Sequence, residues 1–77
     1  MNNQEWLAKA IAKIAELEGS KTFEVKDLFR EVDWNTLSKG DRIGFGRFFA
    51  NEVREKRIKS VVALERGKDN HSRYQKV

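Results

Sequence analysis

The chain has no cysteine and no proline, and only one histidine and one methionine among 77 residues. Without cysteine there is no disulfide framework and no thiolate metal site, as expected of a protein from a reducing compartment. Small domains without such staples rely on tight packing or on oligomerisation. No run approaches the roughly 20 apolar residues needed to span a bilayer. The opening Met-Asn-Asn-Gln-Glu-Trp lacks the basic start and unbroken apolar run of a signal peptide. A cytoplasmic protein is the expectation. Internal repeats and low-complexity tracts are also missing. At this length a chain buries roughly 60% of the surface its unfolded form exposes, so one domain with a small core is expected over residues 1–77.

Catalytic constellations are equally scarce. His71 is the sole histidine, sits in a polar turn, and has no nucleophile or metal-ligand companion at useful spacing. Gly44-Phe45-Gly46 falls inside a helical pattern, with neither a preceding strand nor a Gly-Lys-Ser/Thr sequence, and is no phosphate loop. Most carboxylates alternate with Lys or Arg and read as solvated pairs. The expectation is a protein that is not an enzyme and needs no cofactor or metal.

What the chain does have is aromatic mass and an uneven charge. Five Phe, two Trp and one Tyr supply the apolar surface for a core. The net charge is +4. Residues 1–38 hold 5 Lys/Arg and 7 Asp/Glu, whereas residues 39–77 hold 11 Lys/Arg and 5 Asp/Glu. A basic half favours an anionic partner, though a solvated surface that keeps a small domain soluble accounts for the same numbers.

Residues 4–18 carry an apolar stripe of Leu7, Ile11, Ile14 and Leu17, with Ala10 beside it, and read as a helix. Gly19 is the expected left-handed residue just past its end. Thr22-Phe23-Glu24 is a short extended candidate. A second helix fits residues 25–32, where Val25, Leu28, Phe29 and Val32 share a face. Residues 33–37 are a helical turn or a loop, with Trp34 and Leu37 turned inward. Ser38 is a good N-cap, and Asp41 three residues later approximates a capping box. The helix 38–56 that follows is the most informative segment. Phe45, Phe49 and Val53 form its core stripe, while Gly40, Gly44, Arg47, Asn51 and Arg54 line the opposite side. Ser60 to Leu64 reads as a strand, Arg66 to Asn70 as a turn, and Ser72 to Val77 as a returning strand.

The element order is α-β-α-α-β-β, mainly α with a small β-hairpin, as in a winged helix-turn-helix domain. A three-helix bundle with a disordered basic tail is the rival, against which stand Tyr74 and the Val61 to Leu64 run. In the winged arrangement helix 38–56 is the recognition helix and residues 65–73 form a basic wing. Arg47, Asn51 and Arg54 would face a major groove, where Arg bonds guanine or phosphate and Asn bonds adenine. Lys39 and Arg42 would contact phosphate. Arg66, Lys68 and Arg73 would serve the wing, near His71. Two glycines in the helix, Gly40 and Gly44, each cost about 1 kcal/mol relative to Ala and would let a backbone come close. The plain alternative is that Gly44 or Gly46 relieves crowding by Trp34 or a Phe. Acids Glu52, Glu55 and Glu65 on the same face would count against DNA.

Double-stranded DNA is thus the expected partner of a small regulator or accessory DNA-binding factor, monomer or homodimer, with no membrane role. The alternative is a winged-helix protein-interaction module without nucleic-acid binding, using Phe48, Trp6 or the wing. A weaker possibility is single-stranded nucleic acid stacked on Tyr74 and Phe48.

The run Phe23-Glu24-Val25-Lys26-Asp27-Leu28-Phe29, then Trp34, Gly40-Asp41-Arg42, Gly46-Arg47-Phe48-Phe49 and Val53, resembles a group of small proteins of unknown function. These come from Gram-positive bacteria and their phages and plasmids. The closing Asn70-His71-Ser72-Arg73-Tyr74 is similar to that family's ending. The resemblance covers about residues 22–76. It implies one small domain in a bacterial or mobile-element setting and carries no activity with it.

Overall fold

The computed structural model describes residues 2–64 and 72–77. Three α-helices, α1 (Asn3–Glu16), α2 (Glu31–Asn35) and α3 (Lys39–Arg54), combine with three strands, β1 (Thr22–Phe23), β2 (Val61–Ala63) and β3 (Tyr74–Lys76). The strands form one antiparallel sheet in the order β1-β3-β2. This mixed α+β architecture is compatible with a winged-helix-like fold. β1, which reads in sequence as an isolated extended piece, is the far edge of the sheet: Thr22 pairs with Gln75 and Phe23 with Tyr74.

Local signals explain where α1 and α3 begin. The Asn2 side chain accepts from the N–H groups of Gln4 and Glu5 and caps α1. Ser38 Oγ accepts from the Asp41 N–H at 3.1 Å and caps α3 as expected. At the end of α3, Lys56 takes φ 61°. The Lys56 N–H donates to Val53 O and the Arg57 N–H to Glu52 O, both at 3.0 Å, which is a Schellman motif with Lys where Gly is usual.

Three expectations are corrected. α1 stops at Glu16, Leu17 turns extended, and Ser20 rather than Gly19 adopts the left-handed backbone, with φ 70°. The carbonyls left over at that end accept from a distant donor: Lys76 Nζ reaches Leu17 O at 2.6 Å and Ala15 O at 3.2 Å. Ile11, assigned to the core stripe, is exposed.

The third correction concerns residues 25–32, which do not form one helix. A single 3₁₀ turn spans Val25–Leu28, closed by a reciprocal box in which the Glu24 N–H donates to Asp27 Oδ2 at 2.9 Å. Phe29 and Arg30 are then extended before α2 starts. The extension lets Phe29 stack on Trp34 (5.7 Å, 9° between planes) and meet Trp6 at 4.8 Å and Phe45 at 5.6 Å. Val32, expected on the buried face, is 64% exposed as a result. A five-residue helix has no stability of its own, and aromatic contacts of this kind contribute about 0.5–1.5 kcal/mol each beyond burial.

The core joins these elements through α3. Phe45 and Phe49 are fully buried and Val53 is nearly so, together with Leu7, Ala10 and Ile14 of α1, Leu28, Ile58, and Phe23, Val61 and Tyr74 of the sheet. Tyr74 packs edge-on against Phe49 at 5.0 Å and lies over Phe23 at 5.9 Å. Among the described residues no helix is long and apolar enough to cross a membrane.

Candidate nucleic-acid interface

α3 is anchored along one stripe, so its other positions are oriented by helical geometry at about 100° per residue. Lys39, Arg47 and Arg54 fall within an arc of about 80° on one flank, and the half-buried Arg42 adjoins them over the N-terminal end of the apolar stripe. Asp41, Glu52 and Glu55 fall within about 60° on the other. Gly40, Gly44 and Asn51 lie between the two flanks, facing outward. Of the acids that would have argued against DNA, Glu52 is buried and paired with Arg57 at 3.4 Å. Glu55 lies on the flank away from the basic side chains, and Glu65 is outside the described residues.

The basic flank borders a groove of about 720 Å³ that runs between the N-terminal half of α3, the 3₁₀ turn, and the start of β3. Three expected site residues, Lys39, Arg42 and Arg47, line it together with Lys26, and Glu24 is the one acid in the lining among the described residues. Trp34 and Ile43 contribute apolar surface, and Ser72 and Tyr74 line it on the β3 side. Lys26 escaped the sequence reading. Its only signal was a place in the segment before the helix pair, with nothing local to tie it to α3.

The cations of the groove differ in how far they are committed. Arg42 Nε donates to Leu37 O at 3.1 Å, which tethers its guanidinium to the turn before α3. Lys39 and Arg47 are exposed, and among the described residues neither bonds to another side chain. The remaining expected residues are placed otherwise. Arg54 Nη2 donates to Asn51 Oδ1 at 2.6 Å, so the Asn51 acceptor that an adenine would use is occupied by its own helix. Arg54 borders a second groove, toward β2. Arg73 is half-buried just before β3, its carbonyl accepting from the Leu64 N–H at 2.8 Å. Arg66, Lys68 and His71 lie outside the described residues.

Residues 8–76 match the model of a family described as a domain of unknown function, DUF1413. The chain belongs to that family. No curated protein and no solved structure matches it.

Several further readings of the sequence are settled by the geometry of this DUF1413 chain. A Cβ at Gly44 or Gly46 would meet nothing within 4 Å, and at Gly40 only Ser38 Oγ at 3.9 Å, so these glycines relieve no crowding by Trp34 or a Phe. Tyr74 is 2% exposed and cannot offer a ring face to an unpaired base. Trp6 and Phe48 are half-buried against the core, Phe48 with its ring 6.3 Å from Phe45, which leaves each only part of its surface for a partner.

Outside the groove, Arg30 and Asp33 form an exposed pair at 3.0 Å across the start of α2. The hydrogen bond from Arg30 holds the Asp33 carboxyl below its usual value; its partial desolvation opposes this, and the charges of Arg30 and Lys9 add to the lowering.

Proposed function

We propose that this chain binds double-stranded DNA, as a bacterial or phage regulator or accessory factor working in the cytoplasm. The observation that carries the reading is the groove beside α3, where Lys26, Lys39, Arg42 and Arg47 converge and Lys39 and Arg47 have no side-chain partner among the described residues. A desolvated phosphate chain is the ligand that such a line of cations suits best. In this reading Arg47 and the outward face of α3 enter the major groove, Lys26, Lys39 and Arg42 hold the backbone, and the wing with Arg66, Lys68 and Arg73 follows the next phosphates. Arg54 contacts DNA only after it releases Asn51. The glycines at 40 and 44 give an outward face with no side chain, allowing close approach of backbone to duplex.

The test is anisotropy of a labelled random-sequence duplex, titrated between low and moderate salt. Wild type is expected to show a slope of about −0.9 in log K against log salt for each phosphate neutralised. Lys39→Ala with Arg47→Ala should flatten that slope by about 2 units. Absence of duplex binding at low salt, or an unchanged slope in the double variant, refutes the reading.

A further inference from the structure

The second groove, about 630 Å³, lies between the C-terminal half of α3 and β2 and shares only Arg54 with the proposed DNA contacts. Val53, Val61 and Ala63 form its apolar floor, and Arg54, Lys56 and Lys59 its rim; among the described residues no acid contributes to the lining. β2 is an edge strand, and among the described residues nothing pairs with its outer side.

The register shows what that edge offers. The Leu64 N–H donates to Arg73 O at 2.8 Å and the Val77 N–H to Ser60 O at 2.9 Å. In an antiparallel ladder alternate residues face the partner, so Ser60, Val62 and Leu64 bond to β3. Val61 and Ala63 therefore direct their N–H and C=O groups away from β3, off the open edge. Val62 and Leu64, 42% and 37% exposed, add apolar surface beside it. Natural sheets protect such an edge with charge or a cover, and among the described residues of this groove the charges are cations.

We propose that this edge accepts an extended segment of a partner protein, acidic and with apolar residues at alternate positions, which adds to the sheet beside β2. Backbone bonds to Ala63 and Val61 hold the segment, its apolar side chains lie on Val53 and Val61, and its carboxylates meet Arg54, Lys56 and Lys59. The same rim argues against a second copy on this edge, since two β2 strands side by side would bring like charges together.

The probe is a short fluorescein-labelled peptide of alternating valine and glutamate, followed by polarisation, with a valine–lysine peptide as control. The acidic peptide is expected to bind and to slow hydrogen exchange at the Ala63 amide; the basic one is not. Ala63→Pro removes an outward N–H without touching a bond to β3, and should weaken binding at least about tenfold in a protein with unchanged circular dichroism. Lys56→Glu with Lys59→Glu should do the same through charge alone. The proposal is overturned by no binding at about 1 mM peptide, by equal binding of the lysine peptide, or by undiminished binding in folded Ala63→Pro. Concentration-dependent dimerisation that Ala63→Pro abolishes, without peptide binding, would overturn it in favour of a second copy. Ala63→Pro leaves the first groove intact, so duplex titration of this variant separates failure here from failure of DNA binding.

Discussion

The two flanks of α3 are built from the same helix and anchored by the same three core residues, yet they have been put to different uses. On the acidic flank Asp41 sits in the first turn, its N–H donating to Ser38, and Glu52 is buried with Arg57 as its partner. These charges serve the helix itself: an acid near its N-terminus suits the dipole, and a buried carboxylate needs a cation. On the basic flank the commitments are uneven. Arg42 holds the preceding turn and Arg54 holds Asn51, but Lys39 and Arg47 serve nothing within the described chain. Charge that stabilises the fold and charge uncommitted among the described residues can therefore be told apart residue by residue, which a net charge of +4 cannot do.

The largest expected effect would remove both flanks together. Phe45→Ala empties a fully buried site at the centre of the aromatic cluster. It should cost about 3–5 kcal/mol in denaturant unfolding, a large part of the roughly 4–12 kcal/mol expected for this length. Retained folding with one flank still ordered would show that the two are not anchored in common.

Next comes the contrast itself. Arg47→Ala should weaken duplex binding about tenfold at low salt, a loss of about 1.4 kcal/mol. Glu55→Ala, on the other flank, should leave affinity unchanged or slightly raised, and unfolding free energies of both variants should stay within about 0.5 kcal/mol of wild type. Equal effects from the two would erase the distinction.

A third test targets the face between them. Gly44→Ala meets nothing within 4 Å and should stabilise the fold by about 1 kcal/mol in thermal unfolding. The same substitution should weaken duplex binding. Stabilisation with undiminished affinity would mean that no partner backbone approaches Gly44.

The smallest effect provides a control away from α3. The Asp33 carboxyl is held low by Arg30, so its folded value lies below its unfolded one. Its contribution is present above the unfolded value and is lost as pH falls through the lowered folded one. A slight loss of stability on acidification below about pH 4 is expected, and Asp33→Asn should remove that component from the pH profile. Because the pair is exposed, the change should be small.

Much of this was legible in the residues alone. Phe45, Phe49 and Val53 at helical spacing and Ser38 ahead of them identified α3 and its buried side, since both signals act within a few residues. The strand at 61–63 followed from the β-branched run Ser60 to Leu64, and that at 74–76 from the turn cluster after which Ser72 to Val77 returns. The break at Phe29 was not legible, because a helical pattern of Val25, Leu28, Phe29 and Val32 is satisfied locally. What overrides it is Phe29 packing between Trp6, Trp34 and Phe45, contacts made across distant parts of the chain.

The same division governs the candidate sites. Sequence by itself determined which residues are cationic, which face of α3 is apolar and where α3 starts, because propensity, periodicity and capping depend on near neighbours. Only the tertiary structure decided that Lys26 joins Lys39 and Arg47 beside one groove, that Lys76 is consumed by the carbonyls ending α1, and that β1 and β2 flank β3 as the two edges of the sheet, with a groove beside β2. Those outcomes depend on long-range packing around Phe45 and Phe49, whose burial dictates which distant segments become neighbours.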